Sequence, residues 1–96
     1  MNERLLNLLS HLDWTIEIPD DDLNILDGYF GDLHLVCWYE PYQTAIDTTA
    51  YHIDLTIQDD ESGEILVEGS SAFESDGVAE NMADWIETQI SYLKLF

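Results

Sequence analysis

Positive charge is what this chain most lacks. Arg4 and Lys94 are its only permanent cations, set against 21 Asp and Glu, and the formal net charge is −19 over 96 residues. No internal salt-bridge network can neutralise such a surface. Two like charges 4 Å apart repel by about 1 kcal/mol even in water, and by more near a protein surface, so compaction works against self-repulsion. The shortage excludes direct nucleic-acid binding, which needs a basic patch, and disfavours anionic membrane surfaces. It also argues against catalysis, because an active site commonly needs a cationic group to stabilise developing charge. The chain is therefore expected not to be an enzyme.

Other absences narrow the reading further. Cys37 is the single cysteine, which excludes an internal disulfide and any Cys-based zinc site. It sits in an apolar run and reads as a buried hydrophobe. No run approaches the ~18 apolar residues of a membrane-spanning helix. The N-terminus opens on Asn2, Glu3 and Arg4 without a long apolar stretch, so no signal peptide is expected, and a reducing cytoplasm is the expected location. No G-x-S-x-G, P-loop or G-x-G-x-x-G pattern occurs. His11, His34 and His52 are far apart and form none of the usual metal-ligand spacings. The acidic runs Asp20-Asp21-Asp22 and Asp59-Asp60-Glu61 with Glu64 offer oxygen ligands of the kind Ca²⁺ and Mg²⁺ take. They fail the EF-hand spacing, so only weak, non-structural cation binding is expected there. No cofactor and no dedicated metal site are expected.

What is present is enough for a core. Hydrophobic residues make up 46% of the chain and aromatics 11%, with Trp14, Trp38 and Trp85 spread along it. An acidic disordered tail lacks that apolar mass. Charged residues total 24%, about the average for a globular domain. The charge is thus one-signed rather than dense. The length suits a single domain over residues 1–96.

Leu5, Leu6, Leu8, Leu9 and Leu12 form one stripe of an amphipathic helix over about residues 3 to 12, with Asn2 placed to cap it. Trp14, Ile16 and Ile18 alternate with polar residues as in a strand that Pro19 ends. Leu23–Leu26 reads as a short strand before a turn at Asp27-Gly28. Leu33–Tyr39 reads as a central strand covered on both faces, stopped by Pro41, with residues 41–49 as a polar loop. Ile53, Leu55 and Ile57, then Ile65 and Val67, alternate on either side of a turn at residues 59–63. This hairpin is expected to pair Gln58 with Glu64, Ile57 with Ile65, Leu55 with Val67 and Asp54 with Glu68. Ser75 or Asp76 would cap a second helix whose buried face carries Ala79, Ala83, Ile86, Ile90 and Leu93. The expected architecture is α+β: an antiparallel sheet of three to five strands with an N-terminal and a C-terminal helix, in two layers.

The expected register sets Asp54 against Glu68, and like charges directly opposite each other destabilise a sheet. Glu80, Asp84 and Glu87 form an i, i+4, i+7 stripe on the second helix and are expected to have no cationic partner. Its carboxylates fall roughly 5–6 Å apart, a spacing able to imitate a short row of phosphates. The candidate partner-binding residues are therefore Asp20, Asp21, Asp22, Asp54, Asp59, Asp60, Glu61, Glu64, Glu68, Glu80, Asp84 and Glu87, with Tyr29, Phe30, Tyr39 and Tyr42 as candidate aromatic contacts.

In composition, size and element order the chain resembles the acidic inhibitors made by phages and mobile elements: anti-restriction proteins, anti-CRISPR proteins and uracil-DNA glycosylase inhibitors. The resemblance rests on whole-chain charge and on no motif, so it assigns no individual residue. It implies a DNA mimic, a monomer or homodimer acting in the host cytoplasm. Such a mimic blocks the basic groove of a nucleic-acid-binding protein such as a CRISPR–Cas effector, a restriction enzyme or a DNA-repair enzyme. An immunity protein or antitoxin against a basic toxin nuclease would use similar physics. An acidic secretion chaperone would instead be a dimer with an apolar groove. The acidic surface of a salt-adapted protein fits less well with nine Ile against five Ala and three Val.

Overall fold

The computed structural model describes residues 2–20, 23–43, 49–74 and 77–93. The elements run α1 (Asn2–Leu8), β1 (Thr15–Glu17), β2 (Ile25–Phe30), β3 (Leu33–Gln43), β4 (Thr49–Asp59), β5 (Ile65–Glu74) and α2 (Val78–Ser91). The five strands form one antiparallel sheet in chain order. This is the expected α+β architecture. No helix among the described residues is long and apolar enough to cross a membrane.

Strand alternation sends one set of side chains towards the helices. Leu26 pairs with Cys37 and Cys37 with Leu55; Leu35 pairs with Ile57, and Tyr39 with Ile53. These residues are buried with Leu5 and Leu9 from the N-terminal segment and Met82, Ala83, Ile86 and Ile90 from α2. Each Leu or Ile so buried contributes about 1.5–3 kcal/mol relative to exposure. The helices thus lie on one face of the sheet, and among the described residues no element covers the other. The expected covering of β3 on both faces is not seen: β3 is central, yet Val36 is only half-buried and Trp38 is exposed.

Several boundaries differ from the sequence expectation, each for a local reason. The Asp27-Gly28 pair lies inside β2, and the chain turns instead at Gly31, whose φ is 58°. Gly28 is needed for space. A Cβ there would stand 3.0 Å from Ile16 Cδ1, 3.4 Å from Leu35 Cβ and 3.5 Å from Trp14 Cε3. Pro41 does not stop β3, which runs on to Gln43 opposite Thr49. The Tyr39 N–H donates to Asn24 O, on the β2 side. Pro41 shares that direction, at a point where β2 has ended, so its missing N–H breaks no ladder bond. Of the expected 41–49 loop, residues 44–48 lie outside the described residues. The strand expected at 23–26 begins at Ile25 and that at 53–58 begins at Thr49.

Helix α1 is shorter than expected, with only turn-type bonds following it, among them Leu12 N–H to Leu9 O at 3.1 Å. Asn2 lies within the helix rather than capping it. Its Nδ2 donates to Leu23 O at 3.0 Å, and its Oδ1 accepts from the Tyr39 hydroxyl, tying α1 to the sheet. Helix α2 is preceded by Gly77 in the left-handed region, with no side-chain cap bond; the expected caps Ser75 and Asp76 lie outside the described residues.

The β4–β5 register also departs from expectation. The Asp59 N–H donates to Glu64 O at 2.9 Å, Gln58 pairs with Ile65, and a bulge skips Leu66, so Ile57 meets Val67 and Leu55 meets Gly69. The slip totals two residues beyond the bulge, which keeps Val67 on the core face, but Ile65, expected there too, lies before the bulge opposite Gln58 and is exposed. Gly69 then lies under α2, where a Cβ would come within 2.9 Å of Gln89 Oε1 and 3.4 Å of Trp85 Cζ2.

Two predictions follow from this packing. Gly28→Val forces a branched side chain between Ile16, Leu35 and Trp14, and should cost about 1–3 kcal/mol, read as a lower urea midpoint with an unchanged m-value. Burial pushes the Cys37 thiol up to about 12 from 9.0, with Asp54 adding to the shift. Its contribution to stability is therefore present below about pH 9 and is lost as pH rises towards 12. Native protein should resist iodoacetamide at pH 8 while urea-unfolded protein is alkylated. Cys37→Ala should reduce the alkaline fall in stability without abolishing it, because buried Tyr39 is also pushed up to about 12.

Candidate functional site

The uncovered face of the sheet gathers the side chains that alternate away from the core. Across the strands, Glu17 stands opposite Asp27, and the row continues through Val36, Thr56 and Glu68. The next row is Ile25, Trp38, Asp54 and Ser70, followed by Glu40 opposite His52. Neighbouring strands lie about 4.8 Å apart, and same-face residues of one strand about 6.6–6.8 Å apart. Glu17 and Asp27 are thus direct neighbours, Asp54 stands diagonally about 8 Å from Glu68 and from Glu40, and Val36, Thr56, Ile25 and Trp38 separate the other acids. The expected Asp54–Glu68 opposition does not form, since the slip sets Asp54 against Ser70 and Glu68 against Thr56. A like-charge opposition occurs instead at Glu17 and Asp27, where packing alone gives no reason for two acids.

The only basic side chains on this face among the described residues are two histidines. His34 stacks on Tyr29, with ring centroids 4.6 Å apart and planes 7° from parallel. Its Nε2 lies 3.5 Å from Asp27 Oδ1 and its Nδ1 lies 3.8 Å from Asp60 Oδ1. Nε2 is buried and has no hydrogen-bond partner. His52 Nε2 lies 3.0 Å from Asp54 Oδ2. Desolvation first, then the charges of Asp27, Glu17 and Asp60, raises the Tyr29 phenol above its ordinary range. Trp38, Tyr29 and Tyr42 are all exposed among these acids.

The face continues into the β4–β5 turn. Asp59 accepts from the Glu61 N–H at 2.9 Å, Ser62 Oγ accepts from the Glu64 N–H at 3.2 Å, and Gly63 adopts a φ of 76°. The Asp60 N–H donates to Asp32 O at 2.8 Å, joining this turn to the β2–β3 turn. Asp60, Glu61, Glu64 and Asp32 are exposed at this rim.

The α2 stripe is differently placed. Glu80 accepts from Arg4 Nη2 and, at 3.2 Å, from Arg4 Nε. His11 Nε2 lies 3.2 Å from Glu87 Oε1. The stripe expected to have no cationic partner therefore faces the N-terminal segment, which supplies the one described permanent cation and a histidine. Asp84 remains exposed between them.

The candidate residues thus fall into separate groups. Asp54 and Glu68 lie on the open face, Asp60, Glu61 and Glu64 lie at the turn that rims it, Asp59 alternates to the helix-facing side opposite Leu33, and Glu80, Asp84 and Glu87 lie on the helix layer. Asp20 lies ahead of β2, where its carbonyl accepts from the Leu23 N–H at 3.1 Å; Asp21 and Asp22 lie outside the described residues. Phe30 and Tyr39 belong to the core side. Sequence reasoning missed Glu17, Asp27, Glu40 and Trp38 as members of the open face. The Thr15-Ile16-Glu17 alternation already placed Glu17 opposite to the core, whereas Asp27 was hidden by reading Asp27-Gly28 as a turn. Among the described residues no three His, Cys, Asp or Glu side chains are grouped to hold a metal ion.

No family model matches the chain, and neither a curated protein nor a solved structure is significantly similar to it.

The Arg4 hydrogen bonds hold the Glu80 carboxyl below its usual range, so the pairing is present above about pH 4.5 and fades as pH falls through the lowered value. In Arg4→Ala, the Glu80 titration followed by NMR should move up towards 4.5; an unmoved midpoint would show that the pair does not persist in solution.

Proposed function

We propose that this chain is a DNA mimic: a binding protein rather than an enzyme, which occupies the basic groove of a nucleic-acid-binding protein and blocks it. The observation that carries the reading is the coincidence of a −19 net charge with an uncovered sheet face. On that face carboxylates recur across the strands around exposed Tyr29, Trp38 and Tyr42. Adjacent phosphates of one DNA strand rise about 3.4 Å along the axis and wind around it. A twisted sheet whose neighbouring carboxylates stand about 5 to 8 Å apart offers a basic groove a comparable set of negative charges and releases the partner's anions in the same way. The aromatics add the apolar anchors that protein interfaces favour.

The partner class is a CRISPR–Cas effector, a restriction enzyme or a DNA-repair enzyme. The mimic touches no nucleic acid itself. The helix-layer stripe is the less favoured contact, because Glu80 and Glu87 are already engaged by Arg4 and His11.

The test is an affinity pull-down from host-cell lysate at low salt, followed by a wash with duplex DNA and mass spectrometry. A nucleic-acid enzyme released by the DNA is the expected result. Retention of a single small toxin that DNA does not displace would replace this reading with that of an immunity protein.

A further inference from the structure

A depression of about 260 Å³ lies on the open face beside Trp38, lined also by Asp54, Thr56, Glu68 and Ser70. Trp38 stands on β3 and Glu68 and Ser70 on β5, with Asp54 and Thr56 between them on β4. Trp38 is 39% exposed although it occupies the central strand of the sheet. A large aromatic left open at that position, flanked by two carboxylates, has the makings of a cation site. Glu68 is exposed and makes no ion pair or side-chain hydrogen bond among the described residues. Asp54 is half-buried and already holds His52.

We propose that this depression receives an arginine side chain of the basic partner, the guanidinium lying against the Trp38 ring and paired with Glu68 and Asp54. The choice of arginine over lysine follows from the chemistry. A planar guanidinium stacks on an indole and presents several N–H donors in one plane, so it can meet a ring and two carboxylates together; an ammonium is compact and strongly hydrated. Charge complementarity fixes the partner, since no acidic or neutral surface would be drawn to this face. The site would also give the interface a specificity that phosphate imitation lacks. Carboxylate rows select positive charge in general, whereas an acidic depression lined by Trp38 selects one kind of cation at one place. This inference rests on the proposed function for the identity of the partner but not for its own test.

The probe is a capped oligoarginine peptide, compared with oligolysine of equal length, titrated into the intact protein. Two-dimensional NMR follows the Trp38 indole N–H. The wild-type chain should bind the arginine peptide several-fold more tightly than the lysine peptide, with the Trp38 signal moving most among the three tryptophans. Trp38→Ala should remove the preference, and Glu68→Gln should reduce it. Asp84→Asn makes the same charge change on the helix layer and should leave it intact. Equal affinity for the two peptides, an unmoved Trp38 signal in the wild type, or equal effects of Glu68→Gln and Asp84→Asn would overturn the proposal. The wild-type signal answers the question even where Trp38→Ala proves unstable. An arginine preference without any DNA-displaced enzyme in the pull-down would keep the site and remove the mimic. A DNA-displaced enzyme without the preference would do the reverse.

Discussion

Electrostatic self-repulsion is the constraint on which the rest of this molecule depends. With two permanent cations for 21 acids, nearly every carboxylate must be kept in contact with water, since at most a few can be set against a permanent opposite charge. The fold meets this by confining its apolar mass to one interface. The helices and one sheet face close on Leu5, Leu9, Leu35, Cys37, Ile53, Leu55, Ile57, Met82 and Ile86. The described acids are left outside that core. Hydrophobic burial is insensitive to the sign of the surface charge, which is why an ordinary core can carry so one-sided an exterior.

The one described permanent cation is used locally. Arg4 joins α1 to α2 through Glu80, and His11 reaches Glu87, so the helix layer relieves some of its own repulsion. The open sheet face has only His34 and His52 to set against its acids among the described residues, and it retains like charges opposite each other at Glu17 and Asp27. That asymmetry separates a surface that serves the fold from one that burdens it. A burden of this kind, combined with exposed Trp38, Tyr29 and Tyr42, is what a binding face for a basic partner requires.

Much of the architecture was legible because period-2 and period-3.6 patterns are strong wherever one face is buried. The Ile53-Leu55-Ile57 alternation and the Ala83-Ile86-Ile90 spacing placed β4 and α2 on their correct faces. Errors arose where a tertiary demand outweighed a local signal. Asp27-Gly28 has turn chemistry, yet Gly28 serves as room for Ile16 and Trp14. Pro41 usually ends a strand, yet it points where no neighbour needs its N–H. The bulge falls in the apolar run Ile65-Leu66-Val67, which a simple alternation of Ile65 and Val67 passes over, so the hairpin register slipped and took the Asp54–Glu68 pairing with it. For the candidate surface, the sequence revealed the sign of the charge but not its distribution. Which acids lie together depends on register, and which are already partnered depends on the packing of α1 against α2.

The most direct test of the account is the salt dependence of binding to the partner identified by DNA displacement, measured for the intact chain and for Glu17→Gln/Asp27→Asn/Glu68→Gln. If the open face stands in for phosphates, log K should fall linearly with log salt, as it does for a protein binding DNA. The triple variant should lower that slope, while neutralising Asp84 should not. A flat response, or a slope that changes only when the helix layer is neutralised, would contradict the claim that the open sheet face is the mimic of DNA.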